Sequence, residues 1–82
     1  MQVIITPKAT KQYQHLPKSE QTKIKKKLSL LESEPLVGKK LSGEFEELRS
    51  LRAWPYRILY YIDEEKQIIY ITTILHRQGA YK

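Results

Sequence analysis

Two runs rich in isoleucine and tyrosine, 56–63 (YRILYYID) and 67–75 (QIIYITTIL), flank the acidic turn Asp63-Glu64-Glu65-Lys66. β-Branched and aromatic residues at this density on both sides of a turn specify an antiparallel hairpin. Strand side chains alternate sides with period two, so a slip of one residue would exchange the two faces. The pairing therefore decides what is buried and what is presented. A turn centred on Glu64-Glu65 pairs Arg57 with Thr72 and Ile58 with Ile71, and directly opposed residues share a side. One face then carries Ile58, Tyr60, Ile62, Ile69, Ile71 and Leu75, apolar enough to pack on helices. The other carries Arg52, Arg57, Leu59, Tyr61, Tyr70, Thr72, Ile74 and His76.

A third strand is expected over about 44–52, joined to the second through Trp54-Pro55, which pairs Arg52 with Arg57. Two opposed guanidinium groups repel unless an anion lies between them, so this row suits a phosphate-like ligand. The structural alternative pairs Arg52 or Arg57 with Glu46 or Glu47. Strict alternation sends Arg49 to the helix-facing side unless a bulge re-aims it.

Upstream, Gln2-Val3-Ile4-Ile5 reads as a short strand. Thr6-Pro7 reads as a helix start, with Thr6 as N-cap and Pro7 at the first helical position. Ala9, Tyr13 and Leu16 recur at helical spacing until Pro17 interrupts. A second helix runs to about Ser33, with Ile24, Leu28 and Leu31 on one face and Lys23, Lys25, Lys26 and Lys27 over much of the rest. Residues 34–43 carry Pro35, Gly38 and Gly43 and read as a linker. The expected fold is α+β, in the order β-α-α-β-β-β, with a helical hairpin on one face of a small, mainly antiparallel four-stranded sheet. In 82 residues there is room for one domain and one core, so residues 1–82 are taken as a single unit.

Charge is unevenly placed. Residues 1–43 hold nine lysines against three glutamates, while residues 44–82 balance six cations with six acids and contain all four arginines. Lysine on a flexible stem makes a diffuse positive surface, whereas arginine is preferred where a rigid fork meets phosphate or carboxylate. The first half thus suits electrostatic attraction and the second site chemistry. The chain has no cysteine, which excludes a disulfide framework and a thiolate zinc site. No metal-ligand cluster has a suitable spacing, so neither metal nor cofactor is expected. No apolar run approaches membrane-spanning length and MQVIITPK is unlike a secretory leader, so the cytoplasm is the expected compartment.

The stretch KLSGEFEELRSLRAWPYRILYYID, followed by HRQGAY, resembles the RelE/ParE superfamily of toxin–antitoxin toxins. The likeness rests on Leu41, Gly43 and Glu47-Leu48-Arg49, on the YRILY strand (Tyr56 to Tyr60), and on Arg77 with Tyr81. RelE-like members cleave messenger RNA, usually in the ribosomal A site; ParE-like members poison DNA gyrase without catalysis. The RelE-like pattern implies catalytic roles for Arg57, for Arg52 or Arg49 on the preceding strand, and for Arg77 and Tyr81. The YoeB branch implies roles for His76 and, as general base, for Glu34. An acidic cognate antitoxin is the implied protein partner, and messenger RNA and the ribosome are the implied targets. Lys25, Lys26, Lys39, Lys40 and Arg49 would then hold RNA. Such chemistry is attack by the 2′-hydroxyl on the adjacent phosphorus, with arginines offsetting charge on the phosphoryl oxygens and an acid protonating the leaving 5′-oxygen. A histidine titrates near neutrality and suits acid or base work, and Tyr81 suits proton donation or base stacking.

Overall fold

Thr6 makes the first corner. Its side chain accepts from the backbone N–H of Ala9 (3.3 Å) and its hydroxyl donates to the Ile71 carbonyl (2.9 Å), so a single residue caps a helix and stitches it to a strand. The computed structural model describes residues 1–40 and 48–76. Within them run β1 (Gln2–Ile5), α1 (Pro7–Gln14), α2 (Lys18–Ser33), β2 (Lys39–Lys40), β3 (Arg49–Ala53), β4 (Tyr56–Asp63) and β5 (Ile68–His76). The sheet order is β1-β5-β4-β3-β2, with β1 parallel to β5 and the remaining pairs antiparallel. No helix among the described residues is long and apolar enough to cross a membrane.

The expected periodicities produce the core. Ala9 of α1 and Ile24, Leu28 and Leu31 of α2 are buried against Leu51, Ile58, Tyr60, Ile69, Ile71 and Ile74 of the sheet. Each fully buried isoleucine or leucine contributes about 1.5–3 kcal/mol of burial. The α2 lysines fall on the outer surface, where Lys23, Lys25 and Lys26 are exposed.

The structure corrects the expected sheet in two respects. Among the described residues it has five strands, because Lys39–Lys40, inside the segment read as a linker, pairs with Ser50 and Arg49. Two residues are too few to show a period. The β4–β5 pairing also differs. The turn uses four residues, with Asp63 opposite Ile68, so Tyr61 pairs with Tyr70 and Ile62 with Ile69. Gln67 takes a left-handed φ of 57°, and the Asp63 carboxylate accepts from the Lys66 N–H at 3.2 Å. This register lies two residues from the expected one, which preserves parity, and Ile58, Tyr60, Ile62, Ile69 and Ile71 share the helix-facing side as expected. Between Leu59 and Tyr60 a bulge intervenes: Tyr60 pairs with Ile71, but Leu59 pairs with Thr73. Thr72 is the extra residue, and its hydroxyl donates to the Leu59 carbonyl at 3.2 Å. A bulge reverses parity for everything beyond it. Ile74, not Leu75, therefore enters the core, opposite Ile58.

At the other end of the core, the Tyr60 hydroxyl accepts from the Gly38 N–H (2.9 Å) and donates to the Pro35 carbonyl (3.0 Å). The Gly38 carbonyl accepts from Arg49 Nη1 at 2.9 Å. The loop between α2 and β2 is thereby clamped to the sheet.

Candidate functional site

The face turned away from the helices carries a row of cations. Arg52 and Arg57 are directly opposed across β3 and β4, as the sequence predicts. Lys39 pairs with Ser50, and Ser50 with Leu59, so alternation puts Lys39 and Ser50 on this same face. Arg57 Nη1 lies 3.5 Å from Ser50 Oγ, and Ser50 is buried. Arg52 and Lys39 are exposed and Arg57 is half-buried. The same face bears Tyr61 and Tyr70, stacked with centroids 5.0 Å apart and planes at 25°. Guanidinium forks on directly opposed residues can grip two oxygens of one phosphate.

The other sequence candidates are distributed differently. His76 pairs with Tyr56 and meets its ring edge-on, with centroids 5.2 Å apart. Tyr56 belongs to the core side, so His76 lies on the side opposite Arg57, contrary to the expected parity; the bulge at Thr72 is the cause. Arg49 stays on the helix-facing side, where strict alternation puts it, and its bond to the Gly38 carbonyl gives it a structural task. Lys40 pairs with Arg49 and shares that side. The two cations line a cavity of about 680 Å³ with Leu36, Tyr61, Ile62 and the acids Asp63, Glu64 and Glu65. Glu34 is exposed at the C-cap of α2, on the helix-bearing side of the sheet and away from the arginine row. Lys25 and Lys26 project from α2 on that same side. Arg77, Tyr81, Leu41, Gly43, Glu46 and Glu47 lie outside the described residues.

Sequence reasoning overlooks Trp54, 56% exposed at the tip of the β3–β4 hairpin. Trp54-Pro55 marks a turn, and an aromatic two residues from an arginine in a tight hairpin is the available signal of more. It also overlooks the Tyr60–Gly38 bond, for which Gly38 after a helix end is the only hint.

The family model describing the ParE toxin of type II toxin–antitoxin systems (parDE) matches residues 3–81. The chain belongs to the RelE/ParE superfamily of toxins. Solved structures agree. This toxin is 33% identical to a chain of the RelBE2 toxin–antitoxin complex from Mycobacterium tuberculosis, with a TM-score of 0.86 over 93% of this chain and 96% of that one. It is 26% identical to a chain of the archaeal RelE–RelB complex from Pyrococcus horikoshii, with a TM-score of 0.78 over 93% of each chain. To the isolated Escherichia coli RelE toxin it is 23% identical, a likeness of fold, with a TM-score of 0.79 over 92% of this chain and 82% of that one. A comparison with curated proteins by sequence finds no match.

Proposed function

We propose that this toxin is an endoribonuclease that cleaves messenger RNA on the ribosome, in the cytoplasm, and is neutralised by a cognate antitoxin in a hetero-oligomer. The directly opposed Arg52 and Arg57 carry the reading. As the 2′-hydroxyl attacks and passes its proton to water, charge accumulates on the phosphoryl oxygens, and the pair of guanidinium forks stabilises that charge more than it stabilises the ground state. Lys39 extends the positive track along the same face. Arginine does not release its proton, so the leaving 5′-oxygen needs another donor; Tyr81, five residues after the last residue of β5, is assigned that role, with Arg77 as a further cation. His76, packed on Tyr56 away from the row, is left out. His76→Ala is therefore expected to retain cleavage within a few-fold, far from the roughly 10²–10⁴ loss of a true acid–base group. Rates on programmed ribosomes between about pH 6 and pH 8 check this, because a histidine acid would remove a limb in that range.

Primer extension on messenger RNA after induction tests the activity itself. New 5′ ends inside coding sequence are expected. The family match to ParE supports a second reading, a gyrase poison that uses the same fold for protein binding. Intact messenger RNA together with gyrase-dependent plasmid cleavage would select it.

Antitoxins in the RelBE2 and archaeal RelE–RelB complexes accompany structures like this one, and the α2 lysines offer an acidic partner a complementary surface. Charge reversal of Lys25 and Lys26 to glutamate is expected to weaken association with antitoxin or ribosome. It should also flatten the logarithmic salt dependence, by about one unit for each ribosomal phosphate that a lysine no longer neutralises. Unchanged slopes for both partners would leave these lysines as solvated surface.

A further inference from the structure

Trp54 is the single tryptophan of the chain, and the residue is 56% exposed. An indole has the largest apolar surface of any side chain and is highly buried on average, so its exposure here asks for a use. The position is rigid. Trp54 sits in the two-residue loop between β3 and β4, closed by the Ala53–Tyr56 pair, and the next pair down the ladder is Arg52–Arg57. Five register pairs hold these two strands together, and β4 is paired on its other side by β5. Trp54 thus follows the Arg52–Arg57 pair by one step of the ladder, on a hairpin paired along both strands.

We infer that Trp54 is a base-stacking residue of the site: it receives the base of the nucleotide next to the phosphate gripped by Arg52 and Arg57. This rests on the nuclease reading above and adds to it a substrate-binding residue. A single-stranded nucleotide offers a phosphate and an aromatic plane one after the other, and the hairpin offers a fork and an aromatic plane in the same order. Stacking on an aromatic side chain needs no base-edge match and contributes in every sequence context. Tryptophan and arginine are also enriched in protein interfaces. The charge arrangement favours nucleic acid: Lys39, Arg52 and Arg57 stand together, while Asp63, Glu64 and Glu65 lie at the opposite end of β4. A base stacked on the indole also leaves the exposed Arg52 available for the phosphate.

Because Trp54 is the only tryptophan, its fluorescence reports on this position alone. Purified toxin, freed of antitoxin, is titrated with a short 2′-O-methyl oligoribonucleotide, which it cannot cleave by 2′-hydroxyl attack. Saturable quenching that weakens as salt is raised is expected. Trp54→Ala, followed through a labelled oligonucleotide, should bind about tenfold more weakly, and Trp54→Phe should recover part of the loss. On programmed ribosomes Trp54→Ala should lower cleavage at every codon by a similar factor, chiefly through a raised KM, whereas damage to a purely structural residue would lower the fraction of active toxin and so kcat. Absence of quenching in a toxin that still cleaves messenger RNA through Arg57 would overturn the stacking role and leave the nuclease reading standing. Quenching by the oligonucleotide in a toxin that leaves messenger RNA intact would sink the nuclease reading while upholding the stacking. Quenching by a polyglutamate peptide and none by the oligonucleotide would assign Trp54 to a protein partner and overturn the inference.

Discussion

Arg57→Ala is expected to lower messenger RNA cleavage by roughly 10²–10³, the usual effect of removing one donor that stabilises developing charge, and to abolish growth arrest. The side chain lies at the second ladder position of β4, half-buried, opposite Arg52, and bonded to Ser50 Oγ. Its removal deletes one of two forks and leaves the strand pairing untouched. Loss of the long hydrogen bond to Ser50 and of stem packing should cost about 1 kcal/mol. Circular dichroism should therefore show a folded chain. Arg57→Lys keeps the charge but presents a point donor in place of a fork, so it should fall between the two. A folded Arg57→Ala variant that still arrests growth at equal expression would remove Arg57 from the site. Arg52→Ala provides the companion measurement. If both arginines grip one phosphate, the double variant should lose less than the product of the single losses, because groups acting as a unit are not additive.

That both arginines share one face is legible in the sequence because a two-residue turn at Trp54-Pro55 leaves only one pairing, and a short hairpin accumulates little register error. The helices are legible for a similar reason: Thr6 and Pro7 mark one start, and Ile24, Leu28 and Leu31 keep the helical period through the second. Four-residue turns are less determinate. The acidic turn carries neither glycine nor an Asn-Gly pair, and Gln67 takes the left-handed conformation that such residues normally mark. The error of two residues is harmless to the faces, since parity survives an even shift. The bulge is not harmless. Leu59, Thr72 and Thr73 have no composition that distinguishes a bulged from a regular ladder, and threonine is at home on either side of a sheet. Unbroken alternation consequently puts His76 on the face of Arg57, where the folded chain does not have it, and exchanges Ile74 with Leu75. The Thr72-Thr73 doublet, which interrupts an otherwise apolar alternation, is the only trace. Arg49 shows the opposite lesson: alternation places it on the helix-facing side, an awkward position for a cation until the Gly38 carbonyl supplies its partner.

That same carbonyl belongs to the cluster in which stability changes should be largest. Tyr60 is fully buried, and its hydroxyl serves the Gly38 N–H and the Pro35 carbonyl together. Tyr60→Phe leaves both without that partner in the interior and should cost about 1–3 kcal/mol. Gly38→Ala attacks the clamp from the other side. An added Cβ would lie 2.5 Å from the tyrosine oxygen, 2.8 Å from its Cε1 and 3.0 Å from the Ser50 carbonyl oxygen. The ring is enclosed and the carbonyl belongs to the sheet, so neither yields cheaply, and overpacking of this kind costs about 1–3 kcal/mol. For a domain of this size each kcal/mol lowers the melting temperature by about 4–8 °C. The two changes meet at one atom, so the double variant should lose less than the sum of the singles: phenylalanine removes the oxygen that the new Cβ would strike. Burial also pushes the Tyr60 phenol above the ordinary tyrosine value, against the opposing pull of the Gly38 N–H and the Arg49 charge. Below about pH 10 the phenol is neutral in both folded and unfolded chains and contributes no pH dependence. Above it, the unfolded chain releases the proton that the folded chain still holds. Folded stability must then fall as pH rises toward the raised value. In Tyr60→Phe that contribution is missing. Urea unfolding from about pH 8 to about pH 11 should therefore show a steeper alkaline loss for wild type than for Tyr60→Phe, and equal slopes would mean that the phenol is not held neutral by its burial.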